Sequence, residues 1–353
     1  MLIDAEIFTA EELQRNGINP IFVTGDSLRV LRKIPDNSID CCVTSPPYWR
    51  KRVYENGGIG LEETVEDYVN NLCLILDEVY RVLKPQGSLW LNIGDSYQHK
   101  SLLNIPWRVA IKLGEKGWIQ RNTVIWNKVK GAPDNSKDKL RNIYEPIFHF
   151  VKSRKYYYDV DSVRNKPQTA TVKAGKVVSS TGVTGVSYRR KIELSTALSE
   201  AQKSNAIKAL DSILKEVEEG KIYDFRMIIK GITRATHSDG EMLSGRAKEL
   251  NSNGFYFIRC NPKGSKPSDL WDIIPEDEQG RSDHYAPYPE DICRLPIILT
   301  CPPEGIVLDP FSGTGTTCLV AKKLNRKSLG IDISRDYNER AEDRVVTLTG
   351  ALI

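Results

Sequence analysis

The sequence predicts an α/β protein built on a mainly parallel sheet, and three observations carry that expectation. Strand-like and helix-like segments alternate toward both ends of the 353 residues. Several apolar runs stop abruptly at a Gly-Asp or Ser-Pro-Pro sequence. Late in the chain, PEGIVLDPFSGTGTTCLVAKKLNRKSLGIDIS reads as a complete strand, Gly-rich turn, helix and second strand.

In chain order, PIFVTGDS is a short strand ending at Gly25-Asp26, and SIDCCVTSPPY a second ending at Ser45. Val65, Tyr68, Val69, Leu72, Ile75, Leu76, Val79 and Leu83 then recur at helical spacing. Thr64 and Asp67 form the start signal of that helix and KPQG its stop. GSLWLNIGDS is a buried strand, while NTVIW and EPIFHFVKS read as two more at the sheet edge. From about 160 to 283 the pattern weakens into AGKVVSSTGVTGVSYRRK, a charged amphipathic helix near 199 to 219, and polar segments such as CNPKGSKPSD. The expected division is 1–160 and 284–353 as two halves of one domain, with 161–283 as an inserted module.

A 40% hydrophobic and 27% charged composition is that of an ordinary soluble protein. No apolar run approaches the roughly 20 residues that span a bilayer. MLIDAEIFTAEELQRNG lacks the basic flank and apolar core of a signal peptide, so a cytoplasmic location with no membrane partner is expected. The seven cysteines contain no C-x-x-C pair and read as reduced core residues. The four histidines have no ligand spacing, and no metal site is expected. Net charge is only +4, but ten Lys or Arg stand against three acids between Val151 and Glu193. That block is either a solvated loop or a phosphate-facing surface.

Two stretches carry chemistry. In VLDPFSGTGTT the strand delivers Asp309, and Phe311-Ser312-Gly313-Thr314-Gly315 turns tightly into a helix beginning near Thr316. Glycines let backbone approach a ligand, and a helix N-terminus attracts anionic groups. Asp332, 23 residues after Asp309 at the end of the next strand, stands where ribose hydroxyls bind in nucleoside-cofactor sites. Gly-x-Gly alone is better explained as a structural turn with a satisfied acid, and the absence of a following Lys excludes a phosphate-cradling GxxxxGK loop. The second stretch, VTSPPYWR, is either a proline-terminated strand with aromatic filling or a rigid active-site elbow.

Together, DPFSGTGTT and TSPPYW resemble the DNA amino-methyltransferases that use S-adenosyl-L-methionine. The tetrad Ser45-Pro46-Pro47-Tyr48 is similar to the cytosine-N4 branch; the adenine branch more often carries Asp-Pro-Pro-Tyr. WNKVKGAPDNSKDKLRNIYEPIFHFVKSRKYYYD and HYAPYPEDICRLPII resemble later motifs of the same family. The resemblance covers most of residues 20 to 160 and 284 to 340. Its motif order, tetrad first and cofactor turn last, resembles the circularly permuted (beta) group of prokaryotic modification enzymes.

The resemblance implies a doubly wound, Rossmann-like methyltransferase fold, circularly permuted, with an inserted DNA-recognition region at about 160 to 283. It implies S-adenosyl-L-methionine contacts at Asp309, Phe311, Ser312, Gly313, Gly315, Thr316 and Asp332. Asp26 would meet the cofactor adenine, or else is a helix N-cap; HYAPYP would meet the methionine end. Ser45 and the Pro46 carbonyl would hold the two hydrogens of the target amino group, Pro47 would stiffen the elbow, and Tyr48 would stack on a flipped base. Trp49 reads as core, and Asp95 as a strand-end acid near the site. With double-stranded DNA as the implied partner, Lys155, Arg164, Lys173, Arg189, Arg190 and Lys191 become candidate phosphate contacts. A restriction-modification role, with a cognate restriction endonuclease as functional partner, follows from the same resemblance.

The nearest competing activity is adenine-N6 methylation on the same scaffold. Cytosine-C5 methylation needs a Pro-Cys nucleophile, and no proline here precedes a cysteine. RNA or protein-glutamine methylation, usually carrying Asn before Pro-Pro-Tyr, fits the permuted order and the basic insert poorly. A binding protein with an inactive methyltransferase fold is opposed by intact Ser45, Tyr48, Asp309, Gly313 and Gly315.

Overall fold

A computed structural model describes residues 1–15, 17–51, 57–130, 135–166, 170–173, 176–178, 185–232, 245–275 and 289–350. The strands, in chain order, are β1 (Leu2–Asp4), β2 (Ile21–Thr24), β3 (Ile39–Thr44), β4 (Leu83–Asn92), β5 (Tyr97–Gln98), β6 (Ser101–Leu102), β7 (Ile119–Asn127) and β8 (Tyr144–Val151). They continue with β9 (Thr171–Lys173), β10 (Lys176–Val178), β11 (Phe225–Ile229), β12 (Phe255–Arg259), β13 (Leu270–Asp272), β14 (Ile306–Asp309) and β15 (Lys327–Asp332). The helices are α1 (Glu12–Arg15), α2 (Ser27–Leu31), α3 (Val65–Val82), α4 (Ile105–Glu115), α5 (Gly185–Glu193), α6 (Glu200–Glu218), α7 (Gly245–Asn253), α8 (Glu290–Thr300), α9 (Thr316–Lys323) and α10 (Arg335–Gly350).

Nine of these strands form one sheet in the order β1-β2-β15-β14-β3-β4-β8-β7-β13. Only β8 runs against its neighbours, so the sheet is mostly parallel. Central strands are apolar on both faces, as a doubly covered sheet requires. Cys42, Leu89, Leu91, Phe148 and Phe150 point into a core with Val30, Leu31, Tyr68, Leu72 and Val109 of the α2–α4 layer. The alternate residues Cys41, Val43, Trp90 and Ile147 pack against Ile292, Ile297 and Val320 of α8 and α9. The last βαβ unit in sequence lies mid-sheet: β14 pairs with β3 on one side and β15 on the other. The sheet is therefore doubly wound, with the unit that comes last in the chain at its middle, as expected.

Local rules explain the elements. The Thr64 hydroxyl accepts the Asp67 amide at 3.1 Å and caps α3. KPQG does stop α3, and it then bulges within β4, where pairing with β3 jumps from Ile39↔Leu83 to Cys41↔Ser88. Two edge strands were not foreseen. Leu2–Asp4 pairs with β2, and three residues are too few to show a period. At the other edge β13 pairs with β7, so NTVIW and EPIFHFVKS lie inside the sheet rather than at its border.

The chain divides into a unit of Met1–Val163 with Ser268–Ile353 and a unit of Arg164–Pro267. The expected module boundary at 283 is therefore too late: Ser268 onward belongs with the sheet, where Trp271 is buried against Trp90. In the smaller unit α5 and α6 pack on the antiparallel pair β11–β12, burying Tyr188, Ile192, Leu210, Phe225 and Ile229. Ser199 and Gln202 close a capping box on α6, matching the helix expected near 199 to 219.

Candidate active site

Parallel strands bring their C-terminal ends, and the loops that follow, to one edge of the sheet. There stand Thr44 ending β3 with Ser45 after it, Asn92 ending β4, Asn127 ending β7 with Lys128 after it, Asp309 ending β14 and Asp332 ending β15. Antiparallel β8 begins at the same edge with Tyr144-Glu145, opposite Asn127 and Trp126.

Asp309, only 1% exposed, ties the two expected motifs together. One carboxylate oxygen accepts the Thr44 hydroxyl at 2.6 Å and the Phe311 amide at 3.1 Å; the other accepts the Thr317 hydroxyl at 2.6 Å. Sealed from solvent and bonded through both oxygens to internal donors, Asp309 braces the turn against β3 from below, whereas Asp332 keeps exposed surface.

Beyond it, Gly313 and Gly315 adopt φ of +48° and +76°. A Cβ on Gly315 would lie 2.7 Å from Ala341 and 2.9 Å from Phe22, whereas none of the described atoms comes within 4 Å of the Cβ position on Gly313. Among the described residues the turn is packed beneath and open above. α9 starts there without a side-chain cap, leaving amide donors at its N-terminus. Ser312 packs its side chain down onto Gly330, and the Thr316 hydroxyl is held by Arg344. Phe311 packs against the first core. Asp332 accepts the Gly313 amide at 2.9 Å and the Ser334 amide at 2.8 Å. Burial raises its carboxyl from 3.8 to about 6.

Asp26 is exposed and caps α2, accepting the Arg29 amide at 2.9 Å. Asp95 receives the Ser96 and Ile105 amides and so fixes the start of α4, a structural role. His284 to Tyr288 of HYAPYP lie outside the described residues.

The elbow forms the other half of the site. Ser45 Oγ stands 3.4 Å from the Tyr48 hydroxyl and 3.3 Å from Asn92 Oδ1. Tyr48 donates to Glu145 Oε2 at 2.7 Å, Asn92 Nδ2 donates to the same oxygen at 3.2 Å, and Lys128 pairs with Glu145 Oε1. Burial, and then the adjacent Glu145 charge, push the Tyr48 phenol well above its usual range, which keeps it a donor. Its ring lies on Gly94: a Cβ there would come within 2.4 Å of it. The buried Tyr68 donates to the Pro47 carbonyl at 2.8 Å and fixes the second proline. Trp49 is core, 4% exposed, with its indole N–H on the Glu62 carbonyl.

Asn92, Gly94, Lys128, Glu145, Thr44 and Thr317 were not singled out from sequence. Glu145 carried a signal, as a carboxylate opening an otherwise apolar strand; the others had none beyond their place at or near strand ends and, for Thr317, in the first turn of α9.

Of the candidate DNA contacts, Lys155 alone belongs to the larger unit, which carries this edge. Pairs Asn92↔Ile147 and Ser88↔Val151 place the segment after β8, with Lys155, at the opposite edge from Ser45. Lys155 is therefore corrected: it cannot reach a phosphate beside a base held at Ser45. Arg164 donates to the Gly264 carbonyl, Arg189 pairs with Asp211, Lys191 lies over the Tyr188 ring, and Arg190 is exposed on α5. Lys173 belongs to β9.

Cysteine chemistry has little foothold here, since burial raises the Cys41 and Cys73 thiols to about 12 and about 11. Among the described residues no three ligating side chains cluster for a metal, and no helix is long and apolar enough to cross a membrane.

Comparison with known proteins places the chain among enzymes of one kind. A family model described as DNA methylase matches residues 39–343. The chain is 32% identical to the Type II methyltransferase M.SfiI of Streptomyces fimbriatus, over 89% of this chain and 88% of that protein. It is 26% identical to the Type II methyltransferase M.SmaI of Serratia marcescens, over 96% and 94%. Among solved structures it shares its fold with the PvuII DNA methyltransferase (cytosine-N4-specific), at a TM-score of 0.56, 17% identity, and coverage of 94% of this chain and 92% of that one.

Proposed function

The chain belongs to the DNA methylase family, and on that premise we propose that it methylates the exocyclic N4 amino group of cytosine within a specific duplex sequence. It is a DNA methyltransferase and S-adenosyl-L-methionine is its methyl donor. The turn suits that cofactor: space over Gly313 that no described residue fills, uncapped amides at the start of α9, and a strand-end carboxylate at Asp332. On this reading Asp332 takes the ribose hydroxyls, Gly313 and Gly315 let the backbone approach, and Asp26 lies beside the adenine. Asp309 acts from beneath as a positioning residue.

One observation carries the proposal. Ser45 follows directly on Thr44, whose hydroxyl is bonded to the Asp309 that braces the Gly-rich turn. An amino-gripping group is thereby fixed beside the cofactor turn. An exocyclic amino group conjugated to its ring is a poor nucleophile because its lone pair is delocalised. Acceptors for both of its hydrogens, the Ser45 hydroxyl and the Pro46 carbonyl, favour a pyramidal nitrogen with a localised lone pair. In its present contacts, at 3.3 and 3.4 Å, the Ser45 hydroxyl donates, which leaves its oxygen lone pairs to accept a substrate hydrogen. Tyr48, held by Glu145 and seated on Gly94, offers its ring to the base. The bound cofactor supplies an electrophilic methyl group; the protein contributes positioning.

Cytosine is favoured over adenine by Ser45 in place of the acid more frequent in the adenine branch. The Arg164–Pro267 unit, with Arg164, Lys173, Arg189, Arg190 and Lys191, is assigned to target recognition, and the enzyme to protection of DNA against a cognate endonuclease. Incubation with labelled S-adenosyl-L-methionine and varied unmethylated duplex DNA, followed by digestion to nucleosides, tests the reading. N4-methylcytosine is expected; N6-methyladenine in its place would overturn the cytosine assignment.

A further inference from the structure

Two segments of the larger unit emerge at the same sheet edge as Ser45, Asn92 and Glu145. One is the β5–β6 hairpin that follows β4; the other joins β7 to β8. Lys100 pairs with Asp138 at 2.8 Å, Asn142 meets the Tyr97 hydroxyl at 3.4 Å, and Lys139 stands 5.2 Å from the Tyr97 ring centre. The second segment is anchored in the active site through Lys128, which holds Glu145 while Glu145 holds Tyr48.

This rim is basic and carries an apolar tip. From Lys128 to Asn142 the sequence has five Lys or Arg against two Asp. Lys130, Lys137 and Arg141 are exposed. Between Lys139 and Arg141 stands Leu140, 90% exposed, the most exposed large apolar side chain among the described residues. An isolated exposed leucine calls for no explanation. One framed by cations at the rim of a site that must receive a base from a duplex does, because extrusion of a base leaves a gap in the stack. Proteins that open base steps fill such gaps with apolar wedges while cations grip the flanking phosphates.

We propose that duplex DNA lies across this rim, with Lys130, Lys137 and Arg141 on its phosphates and Leu140 entering the stack at the place vacated by the target base. The proposal rests on the DNA methyltransferase reading above, and deepens it by naming the surface that presents the base. It also supplies, at the catalytic edge, the cationic contacts that Lys155 cannot provide.

The test uses the full chain and a duplex containing its recognition sequence, mapped beforehand by sequencing methylated DNA. Leu140→Ala should lower kcat/KM on the matched duplex at least tenfold while leaving cofactor affinity unchanged. A duplex with the target base mispaired should restore it to within about twofold of wild type, because an unpaired base costs little to extrude. The double variant Lys137→Ala with Arg141→Ala should reduce the slope of log K against log salt by about 1.8, at about 0.9 per phosphate contact. Equal turnover of Leu140→Ala and wild type on the matched duplex, a loss that mispairing leaves unrepaired, or an unchanged salt slope would overturn the proposal. A dimer abolished by Leu140→Ala with transfer intact would assign the tip to self-association and equally overturn it. Wild-type protein that methylates no duplex at all would instead sink the underlying methyltransferase reading.

Discussion

The two strand ends that Thr44 and Asp309 join are built from different materials. The elbow after β3 is assembled from side chains of distant segments: Ser45 and Tyr48 on one, Asn92 on β4, Lys128 after β7, and Glu145 on β8. The turn after β14 is mostly backbone, shaped by two left-handed glycines and by amides that converge on Asp332. A grip on an amino group needs directed acceptors whose orientation neighbouring side chains must fix. A cradle for a cofactor needs close approach and donors, which backbone supplies without side-chain entropy. Damage to the elbow should therefore appear in turnover, and damage to the turn in cofactor affinity.

The largest effect should come where the two halves are coupled. Asp309→Ala removes the buried acceptor of the Thr44 hydroxyl and the shorter of two bonds from the Thr317 hydroxyl, which also reaches the Val43 carbonyl at 3.3 Å. It should destabilise the protein by about 3 kcal/mol, measured by denaturant unfolding, and weaken turnover and cofactor binding together. A variant of normal stability that lost only one of the two functions would break the view of Asp309 as a shared brace.

Gly94→Ala sharpens the contrast on the elbow side. The added methyl would lie 2.4 Å from the Tyr48 ring. Overpacking of this kind costs about 1–3 kcal/mol. The displaced ring should reduce kcat roughly tenfold while cofactor affinity, read by calorimetry, stays within twofold.

A smaller effect, on the turn side, follows from the raised pKa of Asp332, about 6. As an acceptor for ribose hydroxyls the carboxylate must be ionised, so cofactor affinity should fall up to tenfold per pH unit below about 6. Stability runs the other way. The folded state binds this proton more tightly than the unfolded chain does, so stability from this group is full below about 3.8 and is lost as pH rises through about 6. Wild type should therefore lose thermal stability relative to Asp332→Asn between those pH values, and the difference should be flat above them.

The same contrast explains what was legible in the sequence. The turn is contiguous, and its glycines, Asp309 and Asp332 could be read directly from Gly spacing and strand ends. Their division of labour could not, because only tertiary packing shows that Asp309 is sealed from solvent while Asp332 keeps exposed surface. The elbow was half legible: Ser-Pro-Pro-Tyr announces itself, while Asn92, Gly94 and Glu145 acquire meaning only when β4 and β8 are set beside β3. The basic block after Val151 misled through Lys155, since charge along a sequence says nothing about which end of a strand it follows. The short edge strands β1 and β13 escaped because three residues show no periodicity.

Paired measurements on Ser45→Ala and Asp332→Ala test the division of labour most directly. Single-turnover methyl transfer and cofactor affinity would be measured for each variant and for wild type. Ser45→Ala should transfer about 10²–10³-fold more slowly with cofactor affinity within twofold of wild type, and Asp332→Ala should show the loss chiefly in affinity. Near-normal transfer by Ser45→Ala would contradict the account, because the elbow would then hold no catalytic grip.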